Sequence, residues 1–179
     1  MSGVIGVTPD SNSGIINKST AGTLIKSSTF NIGHGTCSSA VFPNDDTIPQ
    51  RSEGTEFFSQ VYTPSTLYCT LLLRSWVTLA EASNVADDLG FGLFISDDND
   101  CLTAQTNVFA NYSGDHGHDV GYQGIEYEMV SWGQTEKTFS LRVHKCNCFN
   151  LPHNYADEHA TSRYSTAATS TFTIQEIST

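Results

Sequence analysis

Between Leu67 and Leu79 the chain alternates: Leu67, Cys69, Leu71, Leu73, Val77 and Leu79 share one parity, and Thr70, Arg74 and Thr78 take the other. Side chains of an extended backbone point alternately to two faces, so this spacing predicts a strand with one face in a core. The pattern returns at Leu89, Phe91, Leu93 and Ile95, before a turn at Ser96–Asp100. Ile125, Tyr127 and Met129 alternate with Glu126 and Glu128, ahead of a turn at Trp132-Gly133-Gln134. Phe139, Leu141 and Val143 alternate with Ser140, Arg142 and His144. Thr55–Tyr62, Thr106–Tyr112 and Ser170–Ile177 read as strands from their Thr and aromatic content. Only Ala80–Asp88 and Tyr155–Ser162 suit a short helical turn. Closely spaced strands with Gly, Asn, Asp and Pro turns predict an all-β chain, an antiparallel β-sandwich of jelly-roll-like form.

A chain of 179 residues has room for one such domain and an arm. Residues 1–28 read as an extended N-terminal arm and 29–179 as the sandwich. The arm carries two similar beads, Ser2-Gly3-Val4-Ile5-Gly6 and Ser13-Gly14-Ile15-Ile16-Asn17, then a third apolar pair at Leu24-Ile25. A plain flexible linker has no use for such pairs. The segment is either a frayed terminus or an arm that buries Val4, Ile5, Ile15 and Ile16 against another subunit or a larger assembly. The second reading is the one taken forward.

Charge narrows the partners. Eight basic side chains face 19 acidic ones, a net charge of −11. That argues against nucleic acid, whose backbone needs Lys and Arg to displace counterions, and against an anionic membrane. Only 15% of residues are charged, and 21 Ser and 21 Thr supply the polar surface instead. The first residues lack a cationic start and a long apolar run, and Leu71-Leu72-Leu73 is broken by Arg74, so neither an export signal nor a membrane span is expected. Synthesis and folding in a reducing cytosol follow, with Cys37, Cys69, Cys101, Cys146 and Cys148 as free thiols.

Several constellations invite a chemical reading. His144, Cys146 and Cys148 fall on one face of a continuing strand, with His153 beyond, and these are zinc-ligand types. Spread along one straight strand the three would span roughly 13 Å at ~3.3 Å per residue, too far to grip one ion, and the strand spacing also disfavours a Cys146–Cys148 disulfide. Asp115-His116-Gly117-His118-Asp119 has an H-x-H pair, but the next Glu is Glu126, beyond Gly121 and Gly124. The stretch Tyr112–Gly124 therefore reads as a Gly-rich surface loop. Asp97-Asp98-Asn99-Asp100 lacks the Gly and Glu of an EF-hand loop. Gly90-Phe91-Gly92 inside a strand pattern marks a bulge or a close backbone approach, and Glu126/Glu128 is an outward strand face. No nucleophile elbow, P-loop or dinucleotide fingerprint occurs. The expectation is a non-enzymatic protein with no catalytic residues, no metal and no cofactor.

Trp76 falls opposite the Leu71/Leu73 row, with Tyr68, Leu72 and Arg74. Such a face is too apolar to stay in water. Phe57/Phe58 and Phe94 also load both faces of their strands. A second layer of the same chain, or a second copy, must cover these groups. The homo-oligomer is the reading taken, with Tyr68, Leu72 and Trp76 as the subunit interface. A sugar-binding platform of exposed aromatics is compatible with it.

The opening Ser2-Gly3-Val4-Ile5-Gly6 with Ser13-Gly14-Ile15-Ile16 resembles the N-termini of small structural proteins of tailed bacteriophages. Thr29-Phe30-Asn31-Ile32-Gly33, the run Pro49–Glu56 into Tyr62-Thr63-Pro64, and the closing Ser170–Ile177 are similar to that family too. The resemblance implies a trimeric β-sandwich, often jelly-roll-like, of the kind found on capsid decorations, head fibres and tail-fibre tips. It implies a cement protein of the virion, made in the host bacterial cytoplasm, whose partners are its own copies and the major capsid protein or another virion protein. The alternative is a tail-fibre or lectin-like receptor-binding module meeting host surface glycans through Asp97–Asp100 and Tyr112–Gly124. A third reading, a metal-dependent cupin-type enzyme, requires bound metal. No catalytic residue is carried over, and five cysteines and the Gly114–His118 loop depart from the family's pattern.

Overall fold

The computed structural model describes residues 21–33, 35–36, 40, 42–43, 45–80, 87–109, 120–144, 148–149 and 170–179. Through them run β1 (Leu24–Ile32), β2 (Gly35–Thr36), β3 (Thr55–Tyr62), β4 (Thr70–Ala80), β5 (Asp87–Ile95), β6 (Thr103–Phe109), β7 (Val120–Val130), β8 (Lys137–His144), β9 (Cys148–Phe149) and β10 (Ser170–Ile177). There is no helix among the described residues. One sheet has the long strands β1, β10, β4 and β7 side by side, and the short β9 and β2 continue it beyond the end of β10. The other has the order β3, β8, β5, β6. All pairings are antiparallel, and both sheets feed one core. The chain is an all-β sandwich.

The eight long strands pair in a nested order. The first pairs with the last (β1, β10), the second with the seventh (β3, β8), the third with the sixth (β4, β7) and the fourth with the fifth (β5, β6). A chain paired this way is one long antiparallel ribbon folded over itself, so its two ends meet. Leu24 lies opposite Ile177, and the Gly22 N–H donates to the Ser178 carbonyl at 2.8 Å.

The alternation builds the core. Leu71, Leu73 and Val77 of β4, Phe172 and Ile174 of β10, Phe91, Leu93 and Ile95 of β5, and Phe139, Leu141 and Val143 of β8 are all buried. Each is worth roughly 1.5–3 kcal/mol relative to exposure. Phe172 joins the layers: its ring centroid lies 6.5 Å from Phe30 in its own sheet, and 5.7 Å from Phe58 and 5.8 Å from Phe139 in the other.

Phe94 points away from this core and is still fully buried. The Phe42 ring covers it at 6.3 Å and stacks on His144 at 5.9 Å. His144 Nδ1 accepts the Phe42 N–H at 2.7 Å, which ties the imidazole to the covering segment. A segment of the same chain therefore covers Phe94, and the second copy expected there is not needed. Gly54 makes the cover possible. At φ +61°, a Cβ on it would stand 2.6 Å from the Phe42 ring and 2.8 Å from the Val143 carbonyl. Gly92 likewise leaves room for the Phe94 ring, the close approach expected of the Gly90–Gly92 pair. The Phe57/Phe58 expectation is also corrected. A bulge between Glu56 and Phe58 re-aims the strand, and both rings pack against the core.

Other boundaries shift where partner strands begin and end. β4 starts at Thr70 because β7 and β10 both stop opposite it. Leu67 then sits in the preceding turn at 57% exposure, outside the buried row it was expected to join. Ala80 belongs to β4, and Asp87 and Asp88 to β5, not to a helical turn. Val120–Gly124 opens β7, so the Gly-rich loop does not extend to Gly124. Leu24–Ser28 pairs with β10 as part of β1, so the sandwich takes in residues expected in the arm. Val4, Ile5, Ile15, Ile16, Asp115–Asp119, Cys146, His153 and Tyr155–Ser162 lie outside the described residues.

Candidate functional site

Pairing register lays four rows across the outer face of the β1-β10-β4-β7 sheet. They are Asn31, Thr171, Trp76 and Gly124; Thr29, Thr173, Arg74 and Glu126; Ser27, Gln175, Leu72 and Glu128; and Leu24, Ile177, Thr70 and Val130. Trp76 is half exposed, and its indole occupies the space where a Cβ on Gly124 would stand, 2.5 Å from two ring carbons. In the next row Arg74 Nε donates to Glu126 at 2.7 Å, and the Thr29 and Thr173 hydroxyls lie 3.1 Å apart. Leu72 is half-buried beside them. The last row sets three aliphatic side chains beside Thr70, with Leu24 53% and Val130 70% exposed at its edges.

Tyr68, in the turn that leads into β4, is 78% exposed. The structure thus puts Leu72 and Trp76 on the expected face and sets Tyr68 apart at the Thr70 end. Trp76 and Thr70 are six residues apart, about 20 Å along an extended strand. The Trp76 indole at one end and the aliphatic group of Leu24, Ile177 and Val130 at the other flank a middle held by the Arg74–Glu126 pair.

The turn carrying Leu67 and Tyr68 is tied down by a buried carboxylate. Glu176 shares the inward parity of Phe172 and Ile174 and has no solvent exposure. It accepts the Tyr62 hydroxyl at 2.6 Å, the Ser65 N–H at 2.9 and 3.1 Å, and the Ser65 hydroxyl. Gln134 Nε2 adds a bond to the Ser65 carbonyl at 2.7 Å. Burial by itself would raise the Glu176 carboxyl, but the bonds from Ser65 and Tyr62 and the Lys26 charge outweigh it and hold it below the usual range. Burial, helped by the hydrogen bond and charge of Glu176, pushes the Tyr62 phenol above its ordinary value. The alternation alone put a carboxylate at an inward position, the signal that identifies this tie from sequence.

The Asp97–Asp100 turn spends its carboxylates locally. Asp97 pairs with Lys137, which holds it below the usual range, Asp98 accepts the Asp100 N–H at 3.1 Å, and Asp100 accepts Gln50 Nε2 at 2.7 Å. β8 ends at His144 in one sheet while Cys148 lies in β9 of the other. His144 and Cys148 therefore do not share one continuing strand, as their spacing suggested. Among the described residues no three His, Cys, Asp or Glu side chains converge as a metal site. Compared with protein-family models and with curated proteins, the sequence matches none.

Proposed function

We propose that this chain is a non-enzymatic structural protein of a phage virion, a trimeric capsid decoration or cement protein attached through its N-terminal segment. The observation that carries the reading is the nested pairing of eight strands with bulky apolar side chains left open on one sheet's outer face and in the turn that leads into β4. First-with-last, second-with-seventh pairing supports the expected jelly-roll form, an architecture shared by viral capsid and lectin domains. Leu67, Tyr68, Trp76, Val130 and Leu24 are costly to leave in water, and a symmetric oligomer removes them from it. Val4, Ile5, Ile15 and Ile16 then act as anchors. Several copies of a weakly binding arm, each burying apolar area at about 25 cal/mol per Å², gain avidity beyond any single one.

The test combines analytical ultracentrifugation of the full chain with particle binding by a variant lacking residues 2–20, which spares β1. A trimer whose truncated form no longer decorates particles is expected. A compact monomer, or full decoration without those residues, overturns the reading. The receptor-binding alternative draws support from the same architecture, since lectin domains share it, and a location at the tail in a handful of copies favours it.

A further inference from the structure

The outer face of the β3-β8-β5-β6 sheet carries a depression of about 220 Å³, lined by Arg51, Glu56, Ser96, Thr138, Ser140 and Arg142. Two of the chain's eight basic side chains meet there. Arg142 is locked in place: Nε donates to the Glu53 carbonyl at 2.7 Å, Nη2 to the Gly54 carbonyl at 3.1 Å, and Nη1 to Glu56 at 3.1 Å. Arg51 is held by its own N–H, which donates to the Asn99 carbonyl at 2.7 Å, and by one Nη1 bond to the Ser96 carbonyl. The rest of its guanidinium fork is available to a ligand.

The charge balance is specific. Two guanidinium groups against the Glu56 carboxylate leave the described lining with one net positive charge, on a chain that carries −11 overall; Asp97 beside it also faces the Arg51 charge, but is paired with Lys137. The remaining lining groups are hydroxyls that both donate and accept, and Ser96 Oγ already accepts the Thr138 N–H at 3.2 Å. Among the described residues no aromatic ring lines the depression, so a ligand is held by hydrogen bonds and charge rather than stacking.

We propose that this depression binds a monoanionic, polyhydroxylated ligand, a sugar carboxylate of the hexuronate type. Arg51 takes the carboxylate in a forked, charge-assisted contact. Glu56, Ser96, Thr138 and Ser140 take the ring hydroxyls. The site goes beyond the virion reading and stands without it, because it rests on the lining residues alone.

The test is amide-resolved NMR titration of the full chain with glucuronate, glucose and inorganic phosphate in parallel. Glucuronate is expected to shift the amides of 51, 96 and 138–142, with glucose and phosphate each about tenfold weaker or worse. Arg51→Gln is expected to weaken glucuronate by about tenfold or more, the loss of a forked charged contact, while the amide spectrum away from the depression stays that of the native fold. Thr138→Val, which keeps both arginines, is expected to weaken it less. Equal binding of glucose overturns the role of charge, and equal binding of phosphate overturns the sugar assignment. Shifts absent at tens of millimolar glucuronate, or unaffected by Arg51→Gln, overturn the site itself.

Discussion

The indole of Trp76 lies over the backbone of Gly124, its cross-strand neighbour, so closely that any side chain at 124 would meet the ring. A half-exposed tryptophan is thereby packed against a glycine on the open face of a sheet. Replacing Gly124 with Ala puts a methyl 2.5 Å from two ring carbons. The ring must swing off the strand, at a cost of about 1–3 kcal/mol for overpacking. Urea denaturation of Gly124→Ala in a Trp132→Phe background, where Trp76 alone reports, is expected to show that loss with red-shifted emission.

The Glu176 tie makes stability depend on acid. Its carboxyl titrates below its ordinary value of 4.5 in the folded chain, so its contribution is complete above that value and fades as pH falls through the lower folded one. Glu176→Gln is expected to cost about 1.5–3 kcal/mol at neutral pH, as bonds to a charged acceptor weaken. The gap to the native chain is expected to close below pH 4.5. Denaturant titrations at several pH values measure this, and a constant gap contradicts it.

Phe42 shields the outward-facing Phe94 and stacks on His144. Phe42→Ala is expected to destabilise the chain by about 3–5 kcal/mol, as for other buried aromatic truncations. Gly54→Ala should also be severe, because the new methyl meets both the Phe42 ring and the Val143 carbonyl at positive φ. Thermal melts of the two variants check both.

Tyr68 offers the cleaner probe of assembly. It is 78% exposed in the single chain, so Tyr68→Ser is expected to leave the melting temperature of a dissociated subunit unchanged. If the side chain is an interface anchor, its loss weakens association by about 2 kcal/mol, roughly thirtyfold in Kd. Sedimentation at graded concentration reads this directly.

Much of the sandwich was legible before the structure. Thr55–Tyr62 and Ser170–Ile177 coincide with β3 and β10 to the residue. The inward rows of β4, β5 and β8 follow from period-two spacing, because one buried face leaves that mark in any half-buried strand. β1 left that mark only at its end, in Phe30 and Ile32. Leu24–Ile32 is mostly exposed edge strand, and only its pairing with β10 makes it one. The first half of β7 was hidden in the same way, since Gly121 and Gly124 read as loop until β4 supplies the partner.

The candidate surface divides along the same line. Alternation by itself set Leu72 and Trp76 against Leu71 and Leu73, because parity needs nothing beyond the local backbone; the inward place of Glu176 went unread until the structure showed it beside Phe172 and Ile174. Which exposed side chains stay open was decided by distant contacts. Phe42 reaches Phe94 from 52 positions away and hides it, while no described segment covers Tyr68 or Val130. Arg51, Glu56 and Arg142 likewise meet only because β3 pairs with β8 and the turn after β5 folds against them. Periodicity is a property of neighbours along the chain. Convergence belongs to the closed fold, and no local signal encodes it.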